Sequence, residues 1–298
     1  MFRLIHISDL HLGPLPAARL RDLASKRILG YVNWRRNRSQ AFGDDVEAAL
    51  IAAIAAERPD HIAVTGDLVN IALTGEYATA FAFLGLLGAG DVVSAVPGNH
   101  DAYVPGAARR AWKAWAAYMT ADAGEADNWP YVRRRGDVAI VGASSAVASG
   151  PFMATGTFSE KQEERLAMVL DKLGRAGLCR VVLIHHPPVK GATAWHKRLS
   201  GASRFRKVIA RFGAELILHG HTHRPTRLSV PGPQGDVPVI GVPAATQRPG
   251  GKHPAAGFNL FDIDRTEAGF LIRHRLMQVT AGGVFEQTRA EEIVSGDR

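Results

Sequence analysis

Cysteine is nearly absent: one residue, Cys179, in a chain of 298. It has no second thiol for an internal disulfide, which fits a reducing compartment, and a cysteine-based zinc-finger site is ruled out. Also missing is any apolar run near the roughly 18 to 20 residues that cross a bilayer, because charges or glycines break every apolar stretch. The opening residues MFRLIHISDL lack the apolar length and small-residue cleavage site of a signal peptide. No internal repeat or low-complexity tract is visible. The expectation is a cytoplasmic protein, soluble or peripheral on the inner membrane face.

The chain does hold a hydrophobic content of 46%, ordinary for a globular protein with a real core, and a formal charge of +8. That charge attracts phosphate-rich partners, whether nucleotides, nucleic acid or anionic lipid, without choosing among them. Short runs rich in Val, Ile and Leu read as buried strands of an α/β fold: Phe2 to Ile7, His61 to Thr65, Val92 to Val96, Val138 to Gly142, Arg180 to Ile184 and Glu215 to Leu218. Helix-like stretches separate them. Asp44 to Arg58 has acids in its first turn ahead of an Ala-rich run, and Ser159 with Gln162 spells a capping box before Arg165 to Leu173. Residues Gly257 to Gln278 alternate around a turn near Thr266 to Gly269, which predicts a closing hairpin. The run Arg133 to Arg135 reads as a charged turn, and the polar residues from Ala290 as a frayed tail. The domain expectation is one unit over 1–289, a basic helical insertion at about 14–40 and a tail at 290–298.

The residues just beyond each strand carry the chemistry, since open α/β sheets bind ligands outside the carboxyl ends of their strands. In order come Ser8-Asp9-Leu10-His11, Gly66-Asp67, Pro97-Gly98-Asn99-His100-Asp101, His185-His186-Pro187-Pro188 and Gly220-His221-Thr222-His223. Their oxygen and imidazole donors suit borderline or hard ions such as Mn, Fe, Co and Zn. On extended chain Asp9 and His11, two apart, share a face and reach one ion, and His221 and His223 repeat the spacing. Asp67 is placed to bridge two ions, with Asn99 and His185 adding an oxygen and a nitrogen. Taken singly each cluster is weak; together, in order and each at a strand end, they define a site.

These blocks resemble the calcineurin-like metallophosphoesterases, whose pattern is D-x-H, G-D, G-N-H-[DE], H and G-H-x-H, all present without substitution between Leu4 and Arg224. The His-His-Pro-Pro form looks like the bacterial class III cyclic-nucleotide phosphodiesterase branch. The resemblance implies a four-layer α/β/β/α sandwich with two mixed sheets. It also implies two metal ions, of Mn, Fe or Zn, one held by Asp9, His11, Asp67 and His223 and the other by Asp67, Asn99, His185 and His221. Such a pair lowers the pKa of a bridging water towards about 7 and neutralises the phosphoryl oxygens during in-line displacement. By the same resemblance His100 stands beside the leaving oxygen as proton donor or transition-state stabiliser, with Asp101 orienting it. His186 is expected to point away from the ligand face and play a supporting part. His6, His61 and His219 read as packing residues, and His196 and His253 as surface histidines.

Two basic stretches bear on the substrate. Ala18 to Arg38 carries seven Lys or Arg against Asp22, with Leu20, Leu23, Ala24, Ile28 and Tyr31 at helical spacing. It reads either as a surface helix packed on the body or as a contact to an anionic membrane, with Trp34 at the interface. Lys190 to Lys207, including Lys197, Arg198, Arg204 and Arg206, reads as solvated loop from which one cation binds a substrate phosphate or carboxylate. The leading function is therefore a phosphodiesterase acting on a small phosphodiester or nucleotide-type substrate. The alternative is a membrane-associated pyrophosphatase of a UDP-diacylglucosamine-like nucleotide sugar, with phosphomonoesterase behind it. A nuclease is disfavoured because no aromatic platform for single strands is evident, and a non-catalytic scaffold because no matched ligand is lost.

Overall fold

The computed structural model describes residues 1–38, 41–123, 129–251 and 253–295. The apolar runs become strands whose inner residues are wholly buried, as continuous Val/Ile/Leu runs require. Strand β1 (Phe2–Ile7) lies parallel to β2 (His61–Val64), and β2 to β3 (Val93–Ala95). On its other side β1 pairs antiparallel with β12 (Gly257–Thr266), which turns tightly into β13 (Gly269–Val279), as the alternation predicts. A further strand, β14 (Phe285–Ser295), completes this six-stranded sheet in the order β14-β13-β12-β1-β2-β3.

The second six-stranded sheet consists of β4 (Tyr131–Arg135), β5 (Val138–Gly142), β7 (Cys179–Leu183), β9 (Leu216–His219), β10 (Arg227–Gly232) and β11 (Gly235–Gly241), in the order β10-β11-β9-β7-β5-β4. A short parallel pair, β6 (Gly156–Thr157) and β8 (Leu199–Ser200), stands apart from both sheets. The period of two along β7 shows how the layers stack. Cys179, Val181 and Leu183 join the core that contains Leu4, Ile62 and Val93 of the first sheet. Val182 and Ile184 face the other way, onto Leu166, Leu170, Phe205 and Ile209. Those last residues belong to α6 (Glu160–Arg175) and α7 (Ala202–Phe212). Helices α3 (Asp44–Glu57), α4 (Thr74–Leu87) and α5 (Ala107–Met119) pack into the core of the first sheet through Leu50, Phe83 and Trp115. The result is a mixed α/β fold with two large mixed sheets between helical layers.

Local chemistry sets several boundaries. The Ser159 hydroxyl caps α6 by accepting from the Gln162 amide at 3.3 Å, but the Gln162 side chain does not close the box. It bonds both backbone groups of Ser144 instead. Helix α3 ends where Arg58 turns left-handed at φ 48°.

Three sequence readings need correction. Arg133 to Arg135 is no turn: it ends β4, because the buried Arg133 guanidinium donates to the carbonyls of Gly90, Val93, Ala117 and Thr120 and is thereby satisfied inside the fold. Residues 290–295 are no frayed tail: they form the end of β14, held by Ile293 in the core and by Glu291 paired with Arg227 and His274; positions 296–298 lie outside the described residues. Lys190 to Lys207 is only partly loop, since Arg204 and Arg206 stand on α7, where Arg204 pairs with Glu160 and Arg206 donates to the Pro188 carbonyl.

The basic segment forms α1 (Leu20–Leu23), α2 (Arg27–Asn33) and a π-helical turn, Trp34–Arg38. It is fastened to the body: Lys26 donates to the Ser149 carbonyl at 2.8 Å and Arg27 to the carbonyls of Ile71 and Ala72. No helix among the described residues is long and apolar enough to cross a membrane.

Candidate metal centre

The loops after β1 and β2 run side by side, with the amides of Asp9, His11 and Leu12 donating to the carbonyls of Gly66, Asp67 and Leu68. Within them the backbone departs from the expected geometry. Asp9 (φ 55°), His11 (φ 45°), Asp67 (φ 55°), His221 (φ 67°) and His223 (φ 54°) all occupy the left-handed region. The pairs two apart therefore share a target as left-handed residues beyond the strand ends, not as extended chain. An L-residue held there costs roughly 1–3 kcal/mol, and such strain gathers at functional sites.

The glycines of the blocks are required by close approach. A Cβ on Gly98 would strike the Asp67 carboxylate, and one on Gly220 would strike Ser8 Oγ and Asp9 Oδ2. Gly66 has φ 95° and sits against the Gly98 amide.

Side chains from all five loops converge. Donor atoms of Asp9, His11 and His223 lie within 4.8 Å of one another, as do those of Asp9, Asp67 and His185, and of His11, Asp67 and His100. His185 Nε2 stands 3.2 Å from Asn99 Oδ1 and 3.4 Å from Asp67 Oδ2. His221 lies beside His185, ring centroids 5.1 Å apart, and its amide donates to Asp9 Oδ2. All seven residues proposed from the sequence as ligands thus meet at one place.

Tautomers follow from the outer hydrogen bonds. Nδ1 of His11 and of His185 donate to the carbonyls of Val69 and Thr65, which leaves each Nε2 with a lone pair aimed inward. His11 Nε2 then faces His223 Nε2 at 3.3 Å, and His185 Nε2 faces two oxygens. Asp9 Oδ1 is buried without a hydrogen-bond donor among the described residues, although His223 Nε2 is 3.2 Å away at an unsuitable angle. Lone pairs crowded on one another with an orphaned carboxylate oxygen are what a site for cations requires.

The electrostatics agree. Burial by itself raises the carboxyls of Asp9 and Asp67, yet His223 and His185 hold Asp9 below the ordinary range, and His185 and His100 hold Asp67 well below it. Burial opposes a charge on His185, but Asp67 and Asp9 lift its ring to about 9, so that without a cation at the centre a proton on Nε2 takes the place of the lone pair. The cluster favours positive charge at its centre.

Residues 2–225 match the description of the calcineurin-like phosphoesterases. The chain belongs to that family. Among solved structures it is similar to a dimetal phosphatase from Danio rerio, at 14% identity, TM-score 0.63 and 98% coverage of both chains. It is also similar to purple acid phosphatase PPD1 from yellow lupin, at 11% identity and TM-score 0.57, over 98% of this chain and 53% of that one. At these identities the likeness shows the fold. No curated protein matches the sequence. As a member of the family the protein is a hydrolase that works with two metal ions, and its His/Asp clusters fit a binuclear site.

Around the phosphoesterase centre, Asp101 stands elsewhere than the sequence reading put it. Its buried carboxylate accepts from the amides of Asp67, Leu68, Val69 and Gly98, at 2.8–3.2 Å, so it clamps two ligand loops together. Burial and Asp67 raise its carboxyl to about 7, against the pull of those amides. The His100 ring is fixed instead by Nδ1 donating to the Asn70 carbonyl and by stacking on Tyr103. Asn70 is itself held by its amide side chain donating to the carbonyls of His11 and Leu12, a role with no sequence signal.

His186 does not point away. Its ring lies 4.3 Å from that of His221, with Nδ1 on Ser145 Oγ and Nε2 on the Ala154 carbonyl, so it supports the ligand rings from behind. Burial lowers it to about 3 and His219 to about 4. His6, His61 and His219 are buried packing residues as expected. His253 is exposed, as expected, and overhangs the cleft, its ring 6.1 Å from that of His223.

The cleft over the centre is about 730 Å³, walled by Asn33, Phe42, Ala154, Lys197, Arg248 and His253 among others. A second cavity of about 430 Å³ adjoins it on the His11 side, lined by Trp34, Phe42, Asp45, Glu47 and Arg248.

Proposed function

We propose that this phosphoesterase hydrolyses a small phosphodiester of nucleotide type. The observation that carries the reading is Asp67, whose carboxylate lies against His185 on one side and shares a cluster with His11 and His100 on the other. One ion is assigned to Asp9, His11, Asp67 and His223, the other to Asp67, Asn99, His185 and His221. Bound there, two metal ions supply a nucleophile from water at neutral pH and offset charge on the phosphoryl oxygens.

The protein's own groups do the rest. The five loops hold the phosphorus in line with its attacker. His100, its Nδ1 committed to Asn70, presents Nε2 for proton exchange: the imidazolium donates to the departing ester oxygen and recovers a proton from solvent. Asp101 positions the Asp67 loop rather than touching the reacting atoms.

Support for a diester comes from the two cavities that meet at Phe42 and Arg248, beside His11 in one and His100 in the other. They offer room for two ester arms, where a monoester has one. The nucleotide-sugar pyrophosphatase is the second reading, favoured by α2 and the π-helical turn, whose Asn33 and Asn37 wall the cleft. The test is turnover of the metal-loaded protein on a diester, a cyclic nucleotide, a monoester and a UDP-sugar. The highest kcat/KM is expected on a diester; rapid cleavage of the monoester with both diesters untouched would overturn the reading.

A further inference from the structure

Three segments that each reach the cleft expose apolar side chains that no described residue covers. On α1 and α2, Leu20, Ile28, Leu29 and Val32 are exposed, Leu20 to 90%. At the tip of the 149–154 loop Phe152 is 84% exposed, and in the short 3₁₀ turn Trp195–Lys197 the Trp195 side chain is 67% exposed. The segments are stitched together. Lys26 of the first donates to Ser149 of the second, and the Ala154 amide of the second donates to the His196 carbonyl of the third. Each also supplies a residue of the cleft wall, namely Asn33, Ala154 and Lys197.

Phe152 is the most telling. It holds φ 61°, a conformation that a bulky L-residue adopts only at a cost. Folding gains nothing from a large ring left in water, so the strain and the exposure together point to an occupant outside the chain. The cations set its chemistry: Arg19, Arg21, Arg35 and Arg36 flank the exposed residues of the helical segment, and Arg198 stands by the Trp195 ring, 6.0 Å from its centroid. Separate apolar anchors set among basic side chains suit a headgroup layer, where rings enter the acyl boundary and cations meet anionic lipid.

We propose that this rim docks on an anionic membrane surface, with Phe152, Trp195 and the outer side chains of α2 inserted, so that the mouth of the cleft opens at the lipid interface. Docking is independent of which ester the centre cleaves. The test is co-sedimentation of the full-length metal-loaded protein with vesicles of phosphatidylcholine alone and of phosphatidylcholine with phosphatidylglycerol. Native protein is expected to bind the anionic vesicles and to leave the neutral ones. The double variant Phe152→Ser, Trp195→Ser is expected to bind roughly tenfold less or weaker still, while hydrolysing soluble p-nitrophenyl phosphate or its bis-ester at the native rate. Equal binding by the variant, equal binding to both vesicle types, or no binding by native protein would each overturn the proposal. So would a self-association seen by light scattering and removed by the double variant without any vesicle binding, since the occupant would then be a second copy.

Discussion

The two halves of the centre are built differently. Around Asn99, His185 and His221 everything is buried: His185 is fully covered, Asn99 is 6% exposed, and His186, Ser145 and the Lys197 carbonyl back the ligand rings. Around Asp9, His11 and His223 the outer ring is open, with His223 at 16% side-chain exposure and His253 overhanging it. A ligand sphere backed by fixed hydrogen bonds holds an ion tightly, whereas one with a partly open imidazole exchanges it more readily. In the proposed assignment the halves share Asp67, so any difference between them reads out around a common carboxylate.

The largest effect is expected from Asp67→Ala, which removes what the halves have in common: metal analysis should find both sites empty and turnover abolished. Two equivalents of metal retained in that variant would break the comparison at its root. Next, His100→Ala is expected to slow hydrolysis about 10²-fold, the usual scale for proton transfer, with metal content near native. Loss of metal there would show that His100 belongs to the ligand set. Replacing Asp101 by Ala leaves four buried amides without their acceptor, and denaturant unfolding should record a loss of about 3 kcal/mol, whereas Asn keeps an acceptor and removes only the charge. Because burial raises the folded Asp101 carboxyl above its unfolded value, ionising it costs stability as pH rises through the unfolded pKa towards about 7. The Asn variant should accordingly show a flatter stability profile between those two values. The smallest effect sharpens the contrast between halves: in graded chelator, one equivalent should leave before the other, and His223→Ala should lose only that first equivalent. Simultaneous release of both would make the halves equivalent.

How far the sequence foretold this depends on the kind of signal each feature leaves. Strand cores such as Ile62 to Val64 and Val181 to Leu183 announce themselves by composition, and the five polar blocks by their position after those strands. The convergence of the seven proposed ligands was therefore legible as a constellation. Its backbone was not: Asp9 and His11 looked like neighbours on one face of a strand, and only the left-handed turns show how both reach inward. Features that depend on distant chain were also silent. Arg133 becomes a strand residue because carbonyls from residues 90 to 120 receive it, and the residues after Ala290 become ordered because Arg227 and His274 wait for Glu291. His253 and Phe152 leave no local trace, since neither periodicity nor motif marks a loop tip.

The five left-handed ligand positions have a consequence for the polypeptide stripped of its ions. At each of them the conformation pulls against the residue type, so a glycine at position 11 or 223 would relax the chain while deleting a donor. At position 223, where the ring is partly open to solvent, that relief should show in chelator as a small gain in melting temperature, whereas at position 11 the loss of a buried, hydrogen-bonded ring outweighs it. The fold itself keeps these loops wound, through the paired amides after β1 and β2 and the Asp101 carboxylate, so the donors stand ready before any cation arrives.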